Sequence, residues 1–192
     1  MAGSFIFSLD FELHWGAVEK GDLSQTARYF NKTREIIPRV LELFQEKGIR
    51  ATWATVGMLF ASNRKQLKAY LPKVRPSYDR AAELYYYSLF ENDKIGPDEI
   101  SDPFHFAASL VKEILDTPGQ DLGTHTFTHY YCNEAGQTLE QFEADLEAAQ
   151  NIARDIYGCS LHSLVFPRNQ FNAAYAEAAH RAGIKVVRTN PA

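Results

Sequence analysis

The chain has 192 residues, of which 45% are hydrophobic, 23% charged and 13% aromatic; this is an ordinary globular balance that excludes disorder and a multidomain assembly. Its 24 acidic and 20 basic side chains give a net charge of −4 with no block of like charges, so nothing marks a nucleic-acid or anionic-membrane partner. No apolar run approaches the about 18 residues of a membrane span and no leader pattern opens the chain; the two cysteines, Cys132 and Cys159, are too few for a disulfide scaffold. One cytoplasmic domain over 1–192 is expected.

Ser4 to Asp10 is a short apolar run that turns polar at its end, as a buried strand does on reaching a sheet edge. Thr33 to Lys47 carries Ile36, Ile37, Val40, Leu41 and Phe44 at helical spacing and is closed by Gly48, with Pro38 placing the start of the regular helix, or a kink, near Ile36. Ile49 to Gly57 reads as the next strand, and strand, helix, strand with short connections implies a parallel pair. The stretch of about 61–103 breaks the pattern with basic and tyrosine-rich segments, including Tyr85, Tyr86 and Tyr87, and reads as an insertion or lid. Phe104 to Leu115 predicts a helix and Asp121 to His125 a short strand. Thr138 and Gln141 form a capping-box signal opening a helix with an apolar stripe from Leu139 to Ile156 and Gly158 behind it. Ser163 to Pro167 predicts a strand, Ala173 to Ala182 a helix capped by Gly183, and Ile184 to Arg188 a last strand. The alternation predicts an α/β fold with a mostly parallel sheet or barrel and its ligands beyond the carboxyl ends of the strands.

The polar residues that could carry chemistry fall at those ends. His125 and His129 are four apart, a spacing that on one helical turn turns both rings to one face for a metal, or that places two capped surface histidines. Asp10 and Glu12 flank Phe11, and strand alternation sends both carboxylates to one side, where one can hold a cation while the other serves as a base; the alternative is two solvated acids at a strand end. Arg168 follows another strand end and fits either a bidentate pair with a carboxylate or a rim salt bridge. Cys132 and Cys159 with the two histidines could make a structural zinc site of irregular spacing. Trp15, Trp53 and Tyr85 to Tyr87 suit either a stacking platform for sugar rings or the core, with Trp53 placed in the core by its mid-strand position.

Phe7 to Glu12, Ile49 to Gly57, Gly123 to His129 and Phe166 to Asn169, in that order, resemble the polysaccharide deacetylase family, the NodB-homology type of carbohydrate esterase. The resemblance spans nearly the whole chain. It implies a distorted (β/α) barrel, here incomplete at its C-terminal side, that uses a divalent metal, usually zinc, to remove N-acetyl groups from amino sugars. Asp10 matches the general base, His125 and His129 the two metal histidines, and Arg168 the arginine that orients the base. The family's adjacent acidic pair is replaced by Asp10 and Glu12 around Phe11, which makes Glu12 the expected third metal ligand. Trp15, Pro167 and Asn169 are the expected saccharide contacts. The family's later motifs, including a histidine acting as general acid, fall beyond Ala192, so the chain resembles the N-terminal part of a longer deacetylase. A non-catalytic carbohydrate-binding relative and a metal-free glycoside hydrolase using Asp10 and Glu12 are the rival readings.

Overall fold

The computed structural model describes residues 5–20 and 23–189. The first strand, β1, spans Phe7–Phe11; the expected start at Ser4 lies outside the described residues. It is followed by β2 at Ala51–Thr55, β3 at Gln120–Thr124, β4 at Ser163–Val165 and β5 at Val186–Arg188. All neighbours are parallel, in the order β1-β2-β3-β4-β5. The sheet curls into an incomplete barrel. Arg188 on β5 accordingly reaches back to β1, donating to the Ser8 carbonyl at 3.0 Å and to Asp10 Oδ1 and Oδ2 at 2.5 and 2.7 Å.

Register sets the functional edge. Phe11 pairs with Thr55 and Thr55 with Thr124, so the residues that follow, Glu12 and His125, leave the sheet on one line. The ladder continues there with Val56 donating to the Phe11 carbonyl at 3.0 Å and His125 to the Thr55 carbonyl at 2.9 Å. Thr124 pairs with Leu164, which brings Val165 beside His125.

The helices cover the sheet. Helix α1 runs from Leu23 to Lys47, starting ten residues before the expected Thr33 and passing through Pro38. Burial of Ile37, Leu41 and Phe44 offsets the one backbone hydrogen bond the proline removes, so apolar packing overrides the breaker signal. Gly48 then adopts φ 64°, the left-handed turn expected of a C′ residue. Within the stretch 61–103 lie α2 (Arg64–Tyr70), α3 (Ala81–Leu84) and α4 (Tyr87–Glu91). Leu67, Tyr78, Leu84, Tyr86, Tyr87 and Ile95 are all buried, so this stretch is built into the core rather than held off as a loop.

Helix α5 (Ala108–Asp116) buries Leu110, Val111 and Ile114. Helix α6 (Leu139–Tyr157) opens with both halves of the capping box, the Thr138 hydroxyl accepting from the Gln141 N–H and the Gln141 side chain accepting from the Thr138 N–H, and it ends at left-handed Gly158. Helix α7 (Ala173–Arg181) closes the set. No described helix is long and apolar enough to cross a membrane. Because the box satisfies two otherwise orphaned donors, Thr138→Ala should lower stability by about 1 kcal/mol, read as a shift of the urea midpoint with an unchanged slope.

Candidate metal and acid–base site

Beyond the carboxyl ends of the strands, Asp10, Glu12, His125, His129, Arg168 and Asn169 line a cleft of about 200 Å³ together with Gly16 and Glu19. Glu12 Oε2 lies 2.9 Å from His129 Nε2 and 3.4 Å from His125 Nε2, and the three donor groups fall within 4.8 Å of one another. No other group of three His, Cys, Asp or Glu among the described residues makes such a cluster. The two histidines are buried and Glu12 is one-third exposed. Burial raises the Glu12 carboxyl, but the imidazoles of His125 and His129 outweigh it and hold it well below the usual carboxylate range. Burial lowers His129 and outweighs its hydrogen bond to Glu12, which raises it.

Each member has its own support. His125 Nδ1 lies 2.8 Å from the Val165 carbonyl; a carbonyl only accepts, so Nδ1 carries a proton and Nε2 is the nitrogen that faces Glu12. Gly16 backs Glu12: a Cβ at this position would overlap the Glu12 carboxyl group. The Leu13–Gly16 turn that carries this glycine is pinned from below. The Asp102 carboxylate accepts from His105 Nδ1 at 2.8 Å, His105 Nε2 lies 2.7 Å from His14 Nδ1, and Trp15 Nε1 donates to the His105 carbonyl at 3.0 Å. Burial and the neighbouring His105 lower His14 to about 4, so it stays neutral in this chain.

The histidine segment is a loop and not the helical turn anticipated from its spacing. Thr126 and His129 sit at φ 64° and 59°, a conformation uncommon for residues other than glycine. Buried Asp145 on α6 holds it, accepting from the Phe127 N–H at 2.6 Å and from the Thr128 hydroxyl at 2.5 Å. Burial pushes the Asp145 carboxyl up to about 6 against those hydrogen bonds.

Three sequence expectations need correction. Arg168 does not meet Asp10: it follows Pro167 with left-handed backbone (φ 54°) and turns outward to pair with Glu19, while Arg188 takes Asp10. Trp15 is fully buried on His105, and Pro167 is buried beneath the rim, so neither offers a face to a sugar; Asn169 does line the cleft. The cysteines stand apart from the histidines, Cys132 donating to the Gln170 carbonyl at 3.2 Å and Cys159 to the Ala153 carbonyl at 3.8 Å. Trp53 is in the core as anticipated, its Nε1 donating to Gln120 Oε1 at 3.0 Å. Sequence reasoning missed Arg188, Asp145, Glu19 and Tyr131, and gave Tyr86 only a place in a sugar platform or the core. Only Arg188 carried a signal, a charged residue ending an apolar strand as Asp10 does.

A family model described as polysaccharide deacetylase matches residues 25–187, and the chain belongs to that family. Among solved structures, a CE4 family pseudoenzyme from Bacillus anthracis matches with a TM-score of 0.51 and 14% identity, over 95% of this chain and 42% of that one. A putative polysaccharide deacetylase from Mycobacterium smegmatis matches with a TM-score of 0.55 and 11% identity, over 93% and 48%. The Streptococcus pyogenes deacetylase PplD, solved with acetate, matches with a TM-score of 0.55 and 9% identity, over 94% and 53%. The chain thus spans about half the length of these structures, whose likeness is one of fold. No curated protein matches the chain.

Two tests follow from the supports. Gly16→Ala should displace the Glu12 carboxylate and weaken zinc binding by about tenfold or more, the scale of outer-shell changes, in a competition titration with a chromophoric chelator. An acid whose pKa rises on folding gives its stability below the ordinary carboxylate range and loses it as pH rises through the folded value, here about 6. The stability of the unaltered protein relative to Asp145→Asn should therefore fall by about 3 kcal/mol between pH 4 and pH 7, measured by urea unfolding across that range.

Proposed function

We propose that the chain forms the metal-binding and base-bearing part of a hydrolase that removes N-acetyl groups from amino sugars of a glycan or glycan precursor. The observation that carries this reading is the Glu12, His125 and His129 cluster beside an arginine-held Asp10 in one cleft. One carboxylate and two imidazoles are the donor set of a catalytic zinc with open positions. His125 turns Nε2 inward while the Val165 carbonyl holds Nδ1, so the residues fit a divalent ion.

When bound there, such an ion lowers the pKa of a water and polarises an acetamide carbonyl. Asp10 then has the task of removing the proton from the attacking water, and Arg188 aims it: both carboxylate oxygens meet one guanidinium nitrogen. Arg188 in this role replaces Arg168. Asn169 at the rim supplies an amide for a saccharide hydroxyl. Protonation of the departing amine requires an acid that none of these residues provides, and it falls to a group not yet assigned.

The test is elemental analysis together with acetate release from N-acetylated saccharides. About one divalent metal per chain is expected in the unaltered protein and none in His125→Ala. Asp10→Asn should retain the metal and lose turnover by about 10²- to 10⁴-fold, the usual contribution of a general base. Absence of metal even after zinc addition would overturn the reading. Saccharide binding without acetate release would assign the chain to the non-catalytic alternative.

A further inference from the structure

His129 is supported differently from His125, through a line of hydroxyls that runs out of the cleft floor. Its Nδ1 lies 2.9 Å from the Tyr131 hydroxyl, which lies 2.7 Å from the Tyr86 hydroxyl, which is hydrogen-bonded to Glu19. Glu19 is also paired with Arg168, whose guanidinium stands 4.4 Å above the Tyr131 ring. The Tyr86 and His129 rings are nearly parallel, at 11° and 6.2 Å between centroids. Tyr131, Tyr86 and His129 are almost completely buried, so bulk water does not interrupt the line.

We propose that Tyr131, Tyr86 and Glu19 form a one-way hydrogen-bond chain that fixes His129 as its Nδ1–H tautomer, with Glu19 and its partner Arg168 setting the direction. The argument counts hydrogens. An ionised carboxylate only accepts, so the Tyr86 hydroxyl donates to Glu19. That spends the single hydrogen of Tyr86, so the contact with Tyr131 needs the Tyr131 hydrogen. Tyr131 then has none left, and its contact with His129 needs a hydrogen on Nδ1. The donors from Tyr86 and Arg168 outweigh burial to keep Glu19 low.

The consequence falls at the other nitrogen. Because the chain holds a proton on Nδ1, Nε2, 2.9 Å from Glu12 Oε2, is the nitrogen left to face a cation beside that carboxylate. The Val165 carbonyl imposes the same tautomer on His125, so two unrelated devices prepare both imidazoles for one ion. Tyr86 comes from the stretch between α3 and α4, which gives 61–103 a part in positioning the site. Tyr131, Tyr86 and Glu19 are positioning residues in this account, and their use rests on the metal-dependent reading above.

The test has two readouts besides activity. In long-range 15N–1H imidazole spectra of the metal-free protein at pH 8, assigned by loss of the signal in His129→Gln, His129 should carry its proton on Nδ1. Tyr86→Phe frees the Tyr131 hydrogen to turn to Nδ1, and Glu19→Gln lets an amide donate into the chain and reverse it; each should move the His129 proton to Nε2. In chelator competition both should bind zinc about 10- to 100-fold more weakly. Tyr85→Phe, which removes a neighbouring hydroxyl bonded to Glu91 at 2.9 Å, should change neither. A proton on Nε2 alone in the unaltered protein, or unchanged tautomer and affinity in Tyr86→Phe and Glu19→Gln, overturns the chain. If the unaltered protein takes up no zinc yet its tautomer shifts in Tyr86→Phe, the chain stands and the metal-dependent reading falls.

Discussion

The structure turns on one carboxylate placed between two buried imidazoles. Glu12 has given up most of its water, and water is what ordinarily stabilises an anion. Its neighbours are two imidazoles whose inward nitrogens are 2.9 and 3.4 Å away. Such an arrangement persists only if the fold holds all three groups there, and the rest of the molecule is organised to do so. Parallel register puts Glu12 and His125 on one line at the sheet edge. The bare Cα of Gly16 leaves room for the carboxylate, and a buried acid on α6 ties down the strained loop between the histidines. Side-chain entropy that a flexible site would lose on binding a ligand has been lost already in folding.

Much of this was legible before any coordinates. The parallel pairing and the helix caps follow from local rules: alternation of apolar segments, Thr138 with Gln141, and glycines placed for positive φ. The polar residues at the ends of apolar strands were legible as candidates, since such ends meet at one edge in a parallel sheet, but it was the family resemblance that grouped Glu12 with the two histidines. What stayed hidden depends on where side chains go after leaving the backbone. Pro38 reads locally as a boundary, but three buried residues on one face of α1 carry the helix through it. Trp15 and the tyrosines suggest a sugar platform by type, whereas burial turns them into core and wiring. His125 and His129 were brought together by loop torsions and not by helical pitch.

The exchange of arginines shows the same limit. Arg168 lies in the expected motif, but the backbone there turns through φ 54° and points the guanidinium away from Asp10. Arg188 is 178 residues from Asp10 in sequence and reaches it because the sheet curls. No local rule reports curl; it accumulates from the twist of successive strands. A motif match therefore does not by itself say which arginine meets a given carboxylate.

The two arginines also differ in what they can contribute. The Arg188–Asp10 pair is about one-third exposed at both ends, so by itself it adds at most about 1 kcal/mol to stability. Its value lies in direction, since contacts to both Asp10 oxygens and to the Ser8 carbonyl leave the carboxylate little freedom to rotate. Arg168 lines the same cleft, and its charge keeps Glu19 an acceptor at the end of the tyrosine line. Dividing the work lets one arginine orient the proposed base and the other set the proton position on a proposed metal ligand, so that each can be altered and its effect read separately.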